Sequence, residues 1–344
     1  MSTQLSFLMA FSVLLLPLRQ GLAAGGRPGP RESTPGMQTA ERGIPLRNFA
    51  RMHGFSSMSE SEGLFEMRGQ VFTLRGEKGG RRVWLNDVMI WLNQPVRVRE
   101  GHWSFAESDL LKTLEPVLQP APHLRGLGHQ VVVLDPGHGG RDGGAVSAAG
   151  LTEKAVCLDI SLRVRRHLSA AGHTVYLTRH LDQDLSLEER SRRAAAWHAD
   201  VFVSIHANSS TNAGASGIET FVLAVPGEVS TNYSKQAQPS QIVHPGNGFD
   251  GANMALGFAL QRSMLAATGA EDRGVRRARF SVLRDAPAPA ALVEVGFLSN
   301  PAEAELLATA VHRERLAQSI AQGIDLYLRE VRRAALLAES SPQR

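Results

Sequence analysis

Two histidines and one glutamate, far apart in the sequence, have the residue types and local settings of ligands for a catalytic metal ion. His138 lies in a glycine-rich loop after an apolar run, Glu153 opens a helical pattern, and His206 ends a second apolar run. Zinc hydrolases use two imidazoles and one carboxylate in this way and leave the fourth position for water. Zinc acidifies this water, so that it becomes a nucleophile at neutral pH. We therefore expect His138, Glu153 and His206 to bind a catalytic Zn2+ ion.

Hydrolysis at such a centre also requires a group that moves protons, and Glu294 is the candidate. It lies within an apolar strand pattern, ALVEVGFLSN, where a carboxylate is costly without a partner. Burial would raise its pKa and a nearby cation would lower it, so that it could take a proton from water and pass it to a leaving amine. The structural alternative is an ion pair between Glu294 and one of the arginines in residues 273–279.

Each ligand candidate also has a structural interpretation when it is considered alone. A histidine at a strand end is commonly a hydrogen-bonded structural residue, and a glutamate in the first turn of a helix favours the helix dipole. We prefer the metal site because all three residues are predicted at the same edge of one sheet. Two other motifs fit less well, since Asp142 replaces the third glycine of a dinucleotide fingerprint and no nucleophile elbow surrounds Ser204.

The elements that position these residues alternate between strand and helix from Gly128 onward. Predicted strands cover residues 130–134, 173–178, 200–206, 217–223, 280–283 and 291–295. Predicted helices cover residues 153–170, 186–199, 253–268 and 313–331, with a further helix that Asn300 caps. This alternation predicts an α/β fold with a mostly parallel sheet. Such sheets place their sites at the carboxyl ends of strands, where His138, His206 and Glu294 are expected.

The composition limits other functions. The chain has 344 residues, a formal net charge of +4 and a sequence pI near 9.6. Its basic residues form only short runs and lack aromatic neighbours for base stacking, so we expect an anionic partner but no nucleic acid. The single cysteine, Cys157, cannot form an internal disulfide or supply a cysteine-based zinc cluster, and we expect it to be a core thiol.

The first 122 residues are predicted to comprise three parts. Residues 1–24 contain an apolar run too short to span a membrane, followed by Ala23-Ala24, and resemble a signal peptide that lacks a basic start. Residues 25–43 are rich in Gly, Pro, Ser and Arg and are predicted to be a disordered linker. Residues 44–122 are predicted to form a small α+β domain. We therefore expect an exported protein of the periplasm or cell envelope.

Within residues 44–122 the clearest pattern is a β-hairpin at residues 82–92 that turns at Asn86-Asp87. Other predicted elements are strands at residues 71–74 and 95–98 and a helix at residues 108–115. Ser108 is expected to cap this helix and Pro116 to end it. We expect this domain to be a spacer or docking module. It resembles, weakly, the N-terminal domain of copper amine oxidases, and the resemblance implies no copper here.

Four segments occur in order along residues 128–332. They read LDPGHGGRDGGA with GLTEK, SIHANSS, GIETFVL, and DRGVRRARFSVLRDAPAPAALVEVGFLSNPAEAELL. Together they resemble the zinc-dependent N-acetylmuramoyl-L-alanine amidases of the amidase-3 family. The resemblance implies that His138, Glu153 and His206 bind zinc and that Glu294 is the catalytic glutamate. It implies a six-stranded, mixed, mostly parallel sheet flanked by helices for residues 128–332, followed by a tail at 333–344.

The resemblance also implies a substrate and partners. The substrate would be peptidoglycan, cleaved between N-acetylmuramic acid and L-alanine. An envelope activator protein is a further partner that the resemblance allows, and we expect a monomer. Asn208 is expected to line the site, and Glu228, in the long polar loop at residues 225–251, could reach the metal and inhibit the enzyme. Two alternatives stay open: a catalytically inactive wall-binding or regulatory protein, and a zinc amidase that acts on other peptides.

Overall fold

The computed structural model describes residues 42–231 and 239–340 of the chain. In the first part of the described chain the strands are β1 (Gly43–Pro45), β2 (Phe55–Ser61), β3 (Leu64–Gly69), β4 (Thr73–Glu77), β5 (Arg82–Leu85), β6 (Val88–Trp91), β7 (Arg97–Arg99) and β8 (His102–Ala106). The helices there are α1 (Leu46–Met52), α2 (Glu107–Asp109) and α3 (Glu115–Leu118), with a π-helical turn (Leu110–Leu114) between the last two and a 3-10 turn (Ala121–His123) after them.

From Val131 onward the described chain alternates between strands and helices. The strands are β9 (Val131–Pro136), β10 (Thr174–Leu177), β11 (Val201–Asn208), β12 (Ile218–Leu223), β13 (Asp272–Ala278) and β14 (Ala290–Phe297). The helices are α4 (Glu153–Ala170), α5 (Leu187–Ala196), α6 (Asp250–Thr268), α7 (Ser281–Arg284), α8 (Pro301–Ala308) and α9 (Ala310–Glu339), and a 3-10 turn (Pro245–Phe249) precedes α6.

One mixed sheet contains eleven of these strands, in the order β10-β9-β11-β14-β12-β13-β6-β5-β4-β3-β2. Its first six strands all lie after Gly128, and among their five pairings only that of β12 with β14 is antiparallel. Helices α4, α6 and α9 cover one face, and α5 and α7 cover the other. The predicted mixed, mostly parallel sheet flanked by helices is therefore confirmed, but its six strands are part of a larger sheet to which the first part of the chain adds five strands.

The strands place His206 and Glu294 side by side. Phe202 of β11 and Leu292 of β14 both contribute to the apolar layer under α5 and α7. Successive strand residues point to opposite faces of a sheet, so residues at even spacing share a face. His206 and Glu294 therefore share the face of Phe202 and Leu292, and they are direct partners in the parallel β11–β14 register.

The sheet continues into the first part of the chain. Val275 of β13 pairs in parallel with Ile90 of β6, and β6 to β2 then follow as an antiparallel meander. The predicted hairpin is confirmed as β5 and β6. Asn86 and Asp87 between these strands have φ values of 47° and 66°, as the favoured two-residue hairpin turn requires. Strands β1, β8 and β7 form a separate three-stranded sheet.

After Gly128, one predicted strand is wrong and another strand was missed. In the first part of the chain, strands β1, β2, β3 and β8 were not predicted. Residues 280–283 were predicted as a strand, but Ser281–Arg284 form helix α7. Strand β13 was not predicted, because its sequence, DRGVRRA, is highly charged. Arg276 and Arg277 are nevertheless buried within it. After Gly128 the described chain has six strands, as predicted, only because β13 compensates for the strand that was wrongly predicted at residues 280–283.

The boundaries of four predicted helices are also wrong. Two of them differ by a few residues, since α5 ends at Ala196 and α6 begins at Asp250. The helix predicted at residues 108–115 begins at Glu107 and continues through Pro116 to Leu118. Proline removes the hydrogen bond to the carbonyl four residues earlier, and here that carbonyl, of Lys112, accepts a hydrogen bond from Arg277 Nη2 at 2.5 Å. A distant arginine thus replaces the missing donor. The last helix continues beyond residue 331 to Glu339.

The N-terminal predictions are mostly beyond the reach of the structure. The predicted signal peptide at residues 1–24, and the linker up to residue 41, lie outside the described residues. Within the described ranges, none of the helices is both long enough and apolar enough to cross a membrane.

Candidate metal centre

The predicted ligands meet at the carboxyl edge of the sheet. Strand β9 ends at Pro136 and leads into His138, helix α4 begins with Glu153, and β11 carries His206 near its end. One ligand atom from each of the three side chains lies within 4.8 Å of the other two. The fold therefore brings together all three residues of the predicted metal site.

Glu153 is the centre of this group. Its Oε1 lies 3.1 Å from His138 Nε2 and 2.9 Å from His206 Nδ1. The backbone N–H groups of Ala207 and Ala145 donate to its two oxygens, at 3.2 and 2.8 Å. Ligand atoms in a tetrahedral zinc site with bonds of this type are about 3.3 Å apart. The donor set and its spacing therefore fit a zinc ion with little movement of the side chains.

The electrostatics of the cluster favour a positive centre. Burial alone would raise the pKa of Glu153, but its hydrogen bonds with His138 and His206 outweigh this effect, and the net pKa lies well below the ordinary value. The hydrogen bond with Glu153 raises the pKa of His138 against the opposite effect of burial. Positive charge next to Glu153 is thus stabilised, whether protons on the imidazoles or a divalent cation supply it.

The loop that carries His138 is held in an uncommon conformation. His138 has a φ of 58°, in the left-handed region. Its Nδ1 lies 2.8 Å from Asp142 Oδ2, a contact that commonly orients metal-binding histidines. Its carbonyl oxygen accepts a hydrogen bond from Arg190 Nη2 at 2.8 Å. Side chain and backbone are therefore both fixed, with Nε2 directed at Glu153.

Two buried arginines support the same loop. Arg190, which is 4% exposed, pairs with Asp135 at 2.8 Å and donates to the carbonyl of Pro136 at 2.7 Å. Arg179, which has no exposed surface, donates to the carbonyls of Pro136 and Gly137 at 3.0 and 2.7 Å. Neither residue was predicted from the sequence, because an arginine on a helix or after a strand usually lies at the surface.

Glu294 faces the site from β14. It pairs in register with His206 on one side and with Glu219 on the other. Its Oε2 atom is buried and has no hydrogen-bond partner among the described residues. Burial raises the pKa of Glu294 well above its ordinary value, and the charges of Glu153 and Glu219 raise it further. A carboxyl group in this setting can accept a proton and return it.

The ion pair that was the alternative role of Glu294 is made by Glu219 instead. Arg276 Nη1 lies 3.0 Å from Glu219 Oε2, and Arg273 Nε lies 3.5 Å from the same oxygen. Asn208 Nδ2 donates to Glu219 Oε1 at 2.6 Å. Glu219 was not predicted as a site residue, although a glutamate between apolar residues in GIETFVL indicates a buried charge, as it does for Glu294.

Glu294 lines a cavity of about 680 Å³. Its lining includes Glu294, Glu219, Asn208, Arg273, Phe221 and Phe297. Asn208 therefore lies beside the site, as expected. The mixture of carboxylate, amide, guanidinium and aromatic groups suits a ligand with both charged and apolar parts, such as a short peptide.

The hypothesis that Glu228 reaches the metal is wrong for the described structure. Its Oε2 accepts a hydrogen bond from Gln94 Nε2 at 2.9 Å, and it does not belong to the cluster around Glu153. Part of the loop at residues 225–251, namely residues 232–238, lies outside the described chain.

Comparisons with known proteins identify relatives of the part of the chain that contains this site. The family model for N-acetylmuramoyl-L-alanine amidase, Amidase_3, matches residues 132–326, more than half of the chain. AmiC of Neisseria meningitidis is 36% identical over 64% of this chain and 58% of its own length. LytC of Bacillus subtilis is 36% identical over 58% of this chain and 36% of its own length. AmiA of Escherichia coli is 33% identical over 65% of this chain and 84% of its own length.

The chain therefore spans about half or less of the length of the first two of these relatives, each named as an N-acetylmuramoyl-L-alanine amidase. Among solved structures, AmiC2 of Nostoc punctiforme is 33% identical, with a TM-score of 0.50 over 59% of this chain and 99% of its own. An amidase of Clostridium difficile 630 is 32% identical, with a TM-score of 0.50 over 58% of this chain and 97% of its own. Because the family model covers most of the part that builds the site, the chain belongs to the Amidase_3 family of N-acetylmuramoyl-L-alanine amidases.

Proposed function

We propose that this protein is a zinc-dependent peptidoglycan amidase, which hydrolyses the amide bond between the lactyl group of N-acetylmuramic acid and the L-alanine of the stem peptide. The observation that carries the proposal is the cluster of His138, Glu153 and His206 beside the buried, unpartnered oxygen of Glu294 among the described residues. The names of the family and of its relatives specify the same bond.

In this mechanism His138, Glu153 and His206 would hold the zinc ion. When bound, zinc would polarise the scissile carbonyl and lower the pKa of water. Glu294 would take a proton from the attacking water while the water oxygen bonds to the carbonyl carbon. It would then deliver this proton to the alanine nitrogen as the carbon–nitrogen bond breaks. The products would be the muramic acid carboxylate and a stem peptide with a free amine.

The location of the substrate requires export. Peptidoglycan lies outside the cytoplasmic membrane, and the signal peptide predicted at residues 1–24 would take the protein to the periplasm or cell envelope. The net charge of +4 suits an anionic wall. The cavity beside Glu294 would accept the stem peptide.

Two substitutions test the mechanism. Glu294→Ala should keep zinc but lose activity by about 10²–10⁴-fold, because it removes the proton carrier and no ligand. His138→Ala should lose both zinc and activity. Metal analysis and the clearing of a purified peptidoglycan suspension, with and without chelator, measure the two properties. A Glu294→Ala protein with wild-type activity would contradict the role of Glu294.

The nature of the products separates this function from its rivals. Mass spectrometry of the released fragments should identify intact stem peptides that begin with a free L-alanine amine. An inactive wall-binding protein would release nothing at any zinc concentration. A zinc amidase for other peptides would leave peptidoglycan intact and cleave small muropeptides or unrelated peptides instead.

A further inference from the structure

The N-terminal segment, defined here as residues 42–122, contacts the cavity-lining strand β13 through β6. Trp91 Nε1 donates a hydrogen bond to the carbonyl of Arg273 at 3.0 Å, and Met89 N donates to Asp272 Oδ2 at 2.6 Å. Gly274 has a φ of 88°, and a Cβ there would lie 3.0 Å from the Trp91 ring and 3.1 Å from the Met89 carbonyl. Only glycine allows β13 to approach β6 this closely.

Trp91 also contacts the arginine that neutralises Glu219. The guanidinium carbon of Arg276 lies 4.5 Å from the centre of the Trp91 ring. Arg276 is 2% exposed, and its Nη1 and Nη2 donate to Glu219 Oε2 and to the carbonyl of Thr231, at 3.0 and 2.9 Å. A cation over an aromatic face is stabilised more when it is shielded from water, and here Arg276 is buried while Trp91 is half-buried. The indole therefore sets the position of a buried cation.

The position of Arg276 matters because Glu219 is a cavity wall next to Glu294. Glu219 has no exposed surface, is the register partner of Glu294, and accepts a hydrogen bond from Asn208, two residues after His206. A buried carboxylate whose cation moves away is strongly destabilised and must shift or take up a proton. A displacement of Arg276 would thus change the position or protonation of Glu219, and with it the cavity wall next to Glu294.

From this chain of contacts we infer that Trp91 is a positioning residue for the amidase reaction, so that the N-terminal segment completes the catalytic site. The indole holds Arg276 against Glu219, and Glu219 in turn holds the wall beside Glu294. The inference rests on the proposed function, because it concerns the geometry of the same reaction.

The test compares substitutions at Trp91 with one at Trp84, in the full chain. Trp84 lies on β5 of the same hairpin, which is separated from β13 by β6 in the sheet, and its ring contacts Arg82. On a soluble muropeptide, Trp91→Ala should lower kcat about tenfold and change KM less than about twofold, because the wall beside the reacting group is misplaced. Trp91→Phe, which keeps a ring face for Arg276, should recover most of kcat, whereas Trp91→Leu should not. Trp84→Ala should match the wild type.

Zinc content and thermal stability of every variant accompany the kinetics. Equal kcat for Trp91→Phe and Trp91→Leu would overturn the inference, and this comparison decides the matter even if Trp91→Ala does not fold. An unchanged kcat in a folded Trp91→Ala protein would also overturn the inference. The proposed function would still hold in that case, because the wild type would be active. A wild type that does not cleave the muropeptide between its lactyl group and L-alanine would contradict the proposed function itself and the inference with it.

Discussion

Around the candidate metal ligands, the glycines of the loop after β9 determine which side chains fit. Gly144 has a φ of 64°, and a Cβ at this position would lie 2.5 Å from Glu153 Oε2 and 2.7 Å from His138 Cδ2. A Cβ at Gly137 would lie 2.4 Å from the His206 ring. The loop therefore packs its backbone directly against all three ligand candidates, and only residues without a side chain permit this approach.

We expect Gly144→Ala to lose most of its bound zinc and at least about tenfold in activity, because the methyl group would displace Glu153 and His138 from each other. The adjacent Gly143 is the matched control, since a Cβ there meets no heavy atom within 4 Å. Gly143→Ala should keep wild-type zinc content and turnover. Metal analysis and peptidoglycan release measure both variants. Full zinc occupancy in Gly144→Ala would show that the loop adapts without cost.

At the scale of elements, the helical stretch from α2 to α3 contains a buried carboxylate. Asp109 has no exposed surface and accepts hydrogen bonds from the backbone N–H groups of Asn93 and Gln94, at 2.6 and 2.8 Å. Burial raises its pKa to about 7; these hydrogen bonds oppose the rise, and the charge of Glu228 adds to it. Asp109 thus links the stability of this helix to pH.

The sign of this linkage follows from the direction of the shift. The folded protein holds the Asp109 proton more tightly than the unfolded chain, so stability is greatest below the ordinary pKa and falls as pH rises towards about 7. Asp109→Asn cannot ionise and should lack this loss. Between pH 5 and pH 8 we expect the wild type to lose on the order of 2 kcal/mol more unfolding free energy than Asp109→Asn. Denaturant titrations at the two pH values measure the unfolding free energy of both proteins. An equal change in unfolding free energy for the wild type and Asp109→Asn would contradict the prediction.

At the scale of the whole molecule, the residues described from 42 onward belong to one compact unit. The sheet crosses from β13 to β6, and one apolar cluster includes Phe49 and Phe105 together with Ile160 and Ile320. The N-terminal segment thus shares its core with the segment that carries the candidate metal site. Shared cores favour a single cooperative unfolding transition over independent unfolding of two domains.

Tryptophan positions allow this cooperativity to be measured. Trp84, Trp91 and Trp103 lie in the N-terminal segment, and the fourth tryptophan is Trp197. In a Trp197→Phe variant, fluorescence reports the N-terminal segment, whereas far-UV circular dichroism reports mainly helices α4, α6 and α9. We expect the two denaturation curves to coincide. Separate midpoints would mean that the N-terminal segment unfolds independently and is a docked module.

The sequence by itself determined the features that depend on local pattern. Helix α4 was predicted with the ends that it has in the structure, because an apolar stripe and an acidic first residue define it. The β5–β6 hairpin followed from Asn86-Asp87, whose side chains tolerate a positive φ. The residues that cluster as the candidate metal site also followed from sequence, because ligand chemistry restricts residue type and α/β topology restricts position.

Only the tertiary structure decided where the buried arginines lie and which groups offset their charge. The sequence DRGVRRA resembles a solvated loop, but in the structure it is a central strand. It can be buried because Arg276 pairs with Glu219 and contacts the Trp91 ring, and both partners are remote in sequence. Similarly, Pro116 does not end its helix, because Arg277 supplies the missing hydrogen bond to Lys112. Burial of a charge is tolerated only when partners offset its desolvation, and those partners come from segments that no local pattern connects.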